Sequence, residues 1–96
     1  MIEVRVTDEF TAWFEDLKDA RAVHAITARL IRFSKGLMGD VRPVGEGVSE
    51  ARVHYGAGFR VYFVQRGDVL IVVLCGGDKR TQDRDIEKAK ALARGL

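Results

Sequence analysis

Cysteine, proline and long apolar runs are what this chain has least of. One residue in 96 is cysteine (Cys75) and one is proline (Pro43). A single thiol excludes an intrachain disulfide and any zinc site built on a cysteine cluster. Cys75 closes the apolar run that starts at Val69, the setting of a buried and unreactive thiol rather than a nucleophile. No apolar run approaches the roughly 18 residues of a membrane span. The start, Met1-Ile2-Glu3-Val4-Arg5-Val6, lacks a basic stretch followed by a long apolar one, so no signal peptide and no membrane association are expected. The expected location is cytoplasmic. Phosphate-loop, dinucleotide and nucleophile-elbow patterns are also missing. The two histidines, His24 and His54, stand thirty residues apart on different elements, which is no metal-ligand spacing. Neither a metal nor a cofactor is expected.

What remains is the composition of an ordinary globular protein, 47% hydrophobic and 31% charged, of a length that makes one domain over residues 1–96. The net charge of +2 conceals an uneven distribution: residues 1–20 carry −4, residues 21–60 carry +4 and residues 61–96 carry +2. Such asymmetry implies an acidic end and a cationic face, which suits an anionic partner.

Hydrophobic periodicity divides the chain into elements. Ile2, Val4 and Val6 alternate with Glu3 and Arg5, which predicts a short half-buried strand. Thr7 or Asp8 then caps a helix carrying Phe10, Trp13, Phe14 and Leu17 at helical spacing. Asp19 caps a second helix whose stripe is Val23, Ile26, Leu30, Phe33 and Leu37, closed by Gly36. Arg21, Arg29, Arg32 and Lys35 lie largely off that stripe, either as a solvated face or as a docking surface for nucleic acid. Pro43 limits the segment Val41–Val44 to an edge or irregular strand. From Val48 the period is two, with Ala51, Val53 and Tyr55 on one face and Glu50, Arg52 and His54 on the other. Gly56-Ala57-Gly58 is a hairpin connection to a strand from Phe59 to Gln65, where Arg60 and Tyr62 share a face. Val69–Cys75 is apolar on both faces, as a central strand would be. After Gly76-Gly77, Thr81 or Asp83 caps a last helix with Ile86, Ala89 and Ala93 inward. The expected class is α+β in the order β-α-α-β-β-β-α, a twisted and mainly antiparallel sheet with two N-terminal helices on one face and a C-terminal helix, the other face partly open.

Alternation places Arg52, His54, Arg60 and Tyr62 on that open face, and the Gly-Gly corner delivers Asp78, Lys79 and Arg80 beside them, with the positive end of a helix that begins near Gln82. Metal-free RNA cleavage needs a base for the 2′-hydroxyl, cations for the charge gathering on the phosphorane, and an acid for the leaving 5′-oxygen. Arg52, Arg60, Lys79 and Arg80 can form the cationic cradle. His54 is the side chain there whose unperturbed pKa lies near neutrality, so it can act as base or acid. Tyr62 could stack on a base. A row of solvated strand arginines, with Glu50 paired to Arg52, accounts for the same residues without function.

The order of elements and four blocks carry a resemblance. They are Glu9-Phe10-Thr11-Ala12-Trp13-Phe14-Glu15-Asp16-Leu17-Lys18-Asp19, the run from Gly39-Asp40 through Gly45-Glu46-Gly47 to Arg52, Tyr55-Gly56-Ala57-Gly58-Phe59-Arg60-Val61-Tyr62-Phe63, and Gly76-Gly77-Asp78-Lys79-Arg80-Thr81-Gln82-Asp83-Arg84-Asp85-Ile86. Together they resemble the RelE/ParE superfamily of type II toxin–antitoxin toxins, and within it the HigB-like addiction module killer proteins. The resemblance implies a toxin that enters the ribosome and cuts translated mRNA as a metal-independent endoribonuclease, held inactive by a cognate helix-turn-helix antitoxin of the HigA kind. Operator DNA would be met only through that antitoxin. Residue by residue, the resemblance implies a phosphate or transition-state contact from Arg60, a basic site residue at Arg52 and a basic corner at Lys79 and Arg80. The reading of the residues themselves adds His54 to Arg52, Arg60 and Lys79 as catalytic, and Arg29, Arg32, Tyr62 and Gln82 to Arg80 as RNA contacts. The chain departs from several ribosome-dependent relatives in having no Tyr, His or Phe after Phe63. A ParE-like inhibitor of DNA gyrase that acts by binding, and a non-catalytic degenerate member, are the alternatives.

Overall fold

A computed structural model describes all residues, Met1–Leu96. The first strand, β1 (Glu3–Val6), leads directly into α1 (Asp8–Glu15). Thr7 makes the transition: its Oγ1 accepts from the Phe10 amide at 3.0 Å and donates to the Leu74 carbonyl, which caps the helix and ties its start to a distant strand. Asp19 caps α2 (Ala20–Ser34) by accepting from the Arg21 and Ala22 amides. Gly36, at φ +77°, then reverses the chain.

Four strands follow: β2 (Val41–Gly45), β3 (Val48–Val53), β4 (Phe59–Arg66) and β5 (Leu70–Gly77). A short 3-10 turn at Lys79–Thr81 precedes α3 (Gln82–Arg94). The sheet order is β1-β5-β4-β3-β2, with β1 parallel to β5 and every other pairing antiparallel. The class is α+β, with a mixed five-stranded sheet. The expected order had one strand too few, because Val41–Gly45 is a genuine strand. Its proline is tolerated because β2 is the edge.

The two faces of the sheet carry separate cores. Phe10, Ile26 and Phe33 of α1 and α2 meet Ala51, Val53, Val61, Phe63, Ile71 and Val73 on one face. Phe33 and Phe63 pack at a ring separation of 4.8 Å, and burying each such side chain is worth about 1.5–3 kcal/mol. On the opposite face Val48, Tyr62, Val64, Leu74 and Cys75 pack beneath Ala89 of α3. The face expected to be partly open is therefore roofed by α3.

A bulge decides how β5 ends. Tyr62 is opposite Cys75 but Phe63 is opposite Val73, so Leu74 is an extra residue. Leu74 and Cys75 both face α3 as a result. Gly76 then faces Trp13 and Gly77 faces Asp85, in each case so closely that a Cβ would overlap the neighbouring side chain. The Gly-Gly pair is thus a strand end clamped from both sides. Its backbone φ values are ordinary, and it is the missing side chains that matter.

Candidate nucleic-acid interface

The sheet register places Arg52 of β3 directly opposite Arg60 of β4, and Glu50 directly opposite Tyr62. Like charges face to face across a ladder are unfavourable. The compensation comes from Glu50, whose side chain is fully buried on the same face. Arg52 Nε donates to Glu50 Oε1 at 3.2 Å, and Arg60 Nε lies 3.5 Å from Oε2. Oε2 also accepts from the Tyr62 hydroxyl at 3.2 Å and from the Gln82 amide of α3 at 2.8 Å. Burial, and then the adjacent Glu50 carboxylate, push the Tyr62 hydroxyl well above the usual tyrosine pKa.

The hairpin loop and the corner after β5 meet over this cluster. The Lys79 amide donates to the Ala57 carbonyl at 3.3 Å. Gly58, at φ +73°, lets the two segments close, because other residues rarely adopt that backbone conformation and a Cβ there would crowd the Lys79 side chain. The resulting pocket, about 350 Å³, is lined by Arg52, Val53, His54, Gly58, Phe59, Arg60 and Lys79. Its lining holds three permanent cations and an imidazole, and no carboxylate. A shallower hollow of about 760 Å³ adjoins it, sharing His54, Gly58 and Lys79 and adding Arg80.

Each cation is held differently. Lys79 is exposed and has no ion-pair partner. Arg60 is almost wholly enclosed: Nη1 donates to the Gly58 carbonyl at 2.9 Å, and Nε is sealed from solvent without a hydrogen bond. Arg80 pairs with Asp78 at 3.0 Å, which holds the Asp78 carboxyl below the usual aspartate range. His54 lies one residue beyond β3 and is exposed, with Nε2 2.5 Å from Asp40 Oδ2. That hydrogen bond is the chief reason the Asp40 carboxyl titrates below its ordinary value. With Nε2 engaged, Nδ1 is the ring nitrogen left to exchange a proton with a ligand. The arrangement can hold a phosphodiester and place one proton-transfer group beside it.

Four of the expected site residues, Arg52, His54, Arg60 and Lys79, therefore share one pocket, with Arg80 at its rim. Two expectations fail. Tyr62 does share the face of Arg52 and Arg60, but it is fully buried under α3 and cannot stack on a base. Arg29 is buried, its guanidinium donating to the carbonyls of Met38 at 3.0 Å and of Arg52 and Asp40 at 2.7 Å each. It is a structural strut between α2 and the sheet, not an RNA contact. Gln82 donates its amide to Glu50 but stays half-exposed, lining a separate hollow at the start of α3 with Lys79 and Arg80. Arg32 is exposed on α2 but lines none of these hollows. Sequence reasoning undervalued Glu50, although its period-two place beside Arg52 was legible. Nothing in the sequence signalled Asp40 as the partner of His54. Cys75 is buried as expected, and burial pushes its thiol up to about 12. No helix is long and apolar enough to cross a membrane.

The chain is 44% identical over 95 residues to an uncharacterized protein of Haemophilus influenzae, across 99% of this chain and 96% of that relative. It belongs to the same family as that protein. No protein-family model matches the chain, and no solved structure matches it.

Proposed function

We propose that this protein is the toxin of a type II toxin–antitoxin pair, with a RelE-like arrangement, and that it cuts mRNA on the ribosome. The observation that carries this reading is the convergence of Arg52, Arg60, Lys79 and His54 on one pocket whose lining has no carboxylate. A surface built only for protein contact has no need of three cations and an imidazole around one hollow. In the proposed reaction the ribose 2′-oxygen attacks the phosphorus as His54 takes its proton, the bond to the 5′-oxygen breaks, and that oxygen is protonated by water, which leaves a 2′,3′-cyclic phosphate. Arg60 and Lys79 stabilise the phosphorane, and Arg52 holds a neighbouring phosphate oxygen. A cytoplasmic site of action and a HigA-like antitoxin as partner belong to the same proposal.

The test is expression in bacteria with mapping of mRNA 5′ ends and of plasmid supercoiling. Codon-phased cuts are expected, falling about 100-fold or more with Arg60→Ala. Lys79→Ala removes an exposed and unpaired cation, so it should slow cutting without unfolding the chain. Intact transcripts together with cleaved DNA would overturn the reading in favour of a ParE-like action on gyrase. Intact RNA and DNA would leave a non-catalytic binding domain.

A further inference from the structure

The Arg52–Arg60 pair cannot hold its geometry alone. Two guanidinium groups stand directly across the ladder, and one of them is almost entirely enclosed. Glu50 supplies the only carboxylate that touches either. It takes Arg52 on Oε1 and Arg60 on Oε2, so each arginine is approached by a different oxygen of one rigid group. Tyr62 from β4 and Gln82 from α3 then hold Oε2 in place. Each of the two arginines approaches Glu50 through its Nε. Beyond these, Arg60 uses Nη1 on Gly58, while its Nη2 has no acceptor in the chain and reaches solvent. Neither terminal nitrogen of Arg52 has an acceptor, and its side chain is 28% exposed. The cluster carries two positive charges and one negative. It is left with a net positive charge whose unused N–H groups border the pocket.

We infer that Glu50 is a positioning residue: it neutralises the repulsion between Arg52 and Arg60 and fixes both as one unit whose free terminal N–H groups present to a phosphodiester. This deepens the proposed function and rests on it for the identity of the ligand. Glu50 itself touches no substrate, since its side chain is fully buried. Charge and geometry make opposite forecasts here. Removing the carboxylate raises the positive charge of the pocket, which strengthens anion attraction, but it frees the arginines from their common anchor, which weakens productive alignment.

The experiment compares wild type, Glu50→Gln and Tyr62→Phe by three readouts at a temperature where circular dichroism shows each to be folded. Inorganic tripolyphosphate measures anion affinity, and single-turnover cleavage of ribosome-bound mRNA measures alignment. Arginine Nε–Hε cross-peaks in 15N NMR report on Arg52 and Arg60 directly. Glu50→Gln should bind tripolyphosphate at least as tightly as wild type, yet cleave about 10- to 100-fold more slowly. Tyr62→Phe removes one bond to Glu50 from a side chain no ligand can reach, and should slow cleavage about threefold with affinity unchanged. It also serves if Glu50→Gln does not fold. Unaltered cleavage in a folded Glu50→Gln, or in Tyr62→Phe if only that variant folds, would overturn the inference. If wild type itself does not cut RNA, the cleavage reading fails and the NMR decides on Glu50. Distinct, slowly exchanging Arg52 and Arg60 peaks that merge into the averaged envelope in the variant would support the positioning role, and their persistence would refute it.

Discussion

Replacing Arg29 by methionine separates a structural strut from an RNA contact. Methionine keeps most of the apolar stem, so what is lost is the guanidinium and its three donations to the carbonyls of Met38, Asp40 and Arg52. Hydrogen bonds from a charged donor contribute about 1.5–3 kcal/mol each. The full sum overstates the loss, because Asp40 is exposed and Met38 half-buried, so their carbonyls can be rehydrated. A net cost of about 3–5 kcal/mol is expected, a large share of the roughly 5–14 kcal/mol typical of a domain this size. With a urea m-value of about 1.5 kcal/mol/M, the unfolding midpoint should fall by roughly 2–3 M. Lysine should rescue little, since one ammonium cannot span three carbonyls in the plane a guanidinium fits. Gly39→Ala should mimic the defect, because its φ of +74° strains any side chain and its Cβ would meet the Arg29 guanidinium at about 3 Å. A midpoint shift below about 0.5 M, or a loss of RNA affinity without a loss of stability, would refute the assignment of Arg29 to the framework.

The clamp at the end of β5 makes a second forecast: Gly77→Ala should cost at least about 2 kcal/mol in urea unfolding, because the new methyl overlaps the Asp85 carboxylate. Measured in an Asp85→Ala background the same change should cost much less, and an equal cost in both backgrounds would show that the clash is elsewhere. The Asp40–His54 pair predicts a pH dependence. The folded Asp40 pKa lies below its unfolded value, so the pair adds stability above about pH 4 and loses it as pH falls through the lowered folded value. The stability gap between wild type and Asp40→Asn should therefore be present at about pH 5 and close toward about pH 2, and a constant gap would contradict it.

Much of this architecture could be read from residue spacing. The caps at Thr7 and Asp19, the α2 stripe through Ile26 and Phe33, and the central place of Val69–Cys75 all follow from local rules, because capping and periodicity act within a few residues. Alternation also put Arg52, Arg60 and Tyr62 on one face, which the register confirms. It could not say what lies above that face. The inward residues Ile86, Ala89 and Ala93 mark α3 as amphipathic, but an apolar stripe does not specify which side of a sheet it covers. Once α3 docks over β4 and β5, Tyr62 is buried, Gln82 is drawn to Glu50, and what alternation marked as an open cationic row becomes a half-neutralised cluster with one pocket at its end. The same limit applies to Arg29, whose place off the apolar stripe implied solvent until the chain after α2 folded back and presented three carbonyls to it. The scarcities in the sequence settle little more than that a single thiol forms no intrachain disulfide and that no helix is long and apolar enough to cross a membrane. Which of its many cations are free to meet an anion was decided only in three dimensions, because a charge is committed or available according to the groups that folding brings within a few ångströms of it.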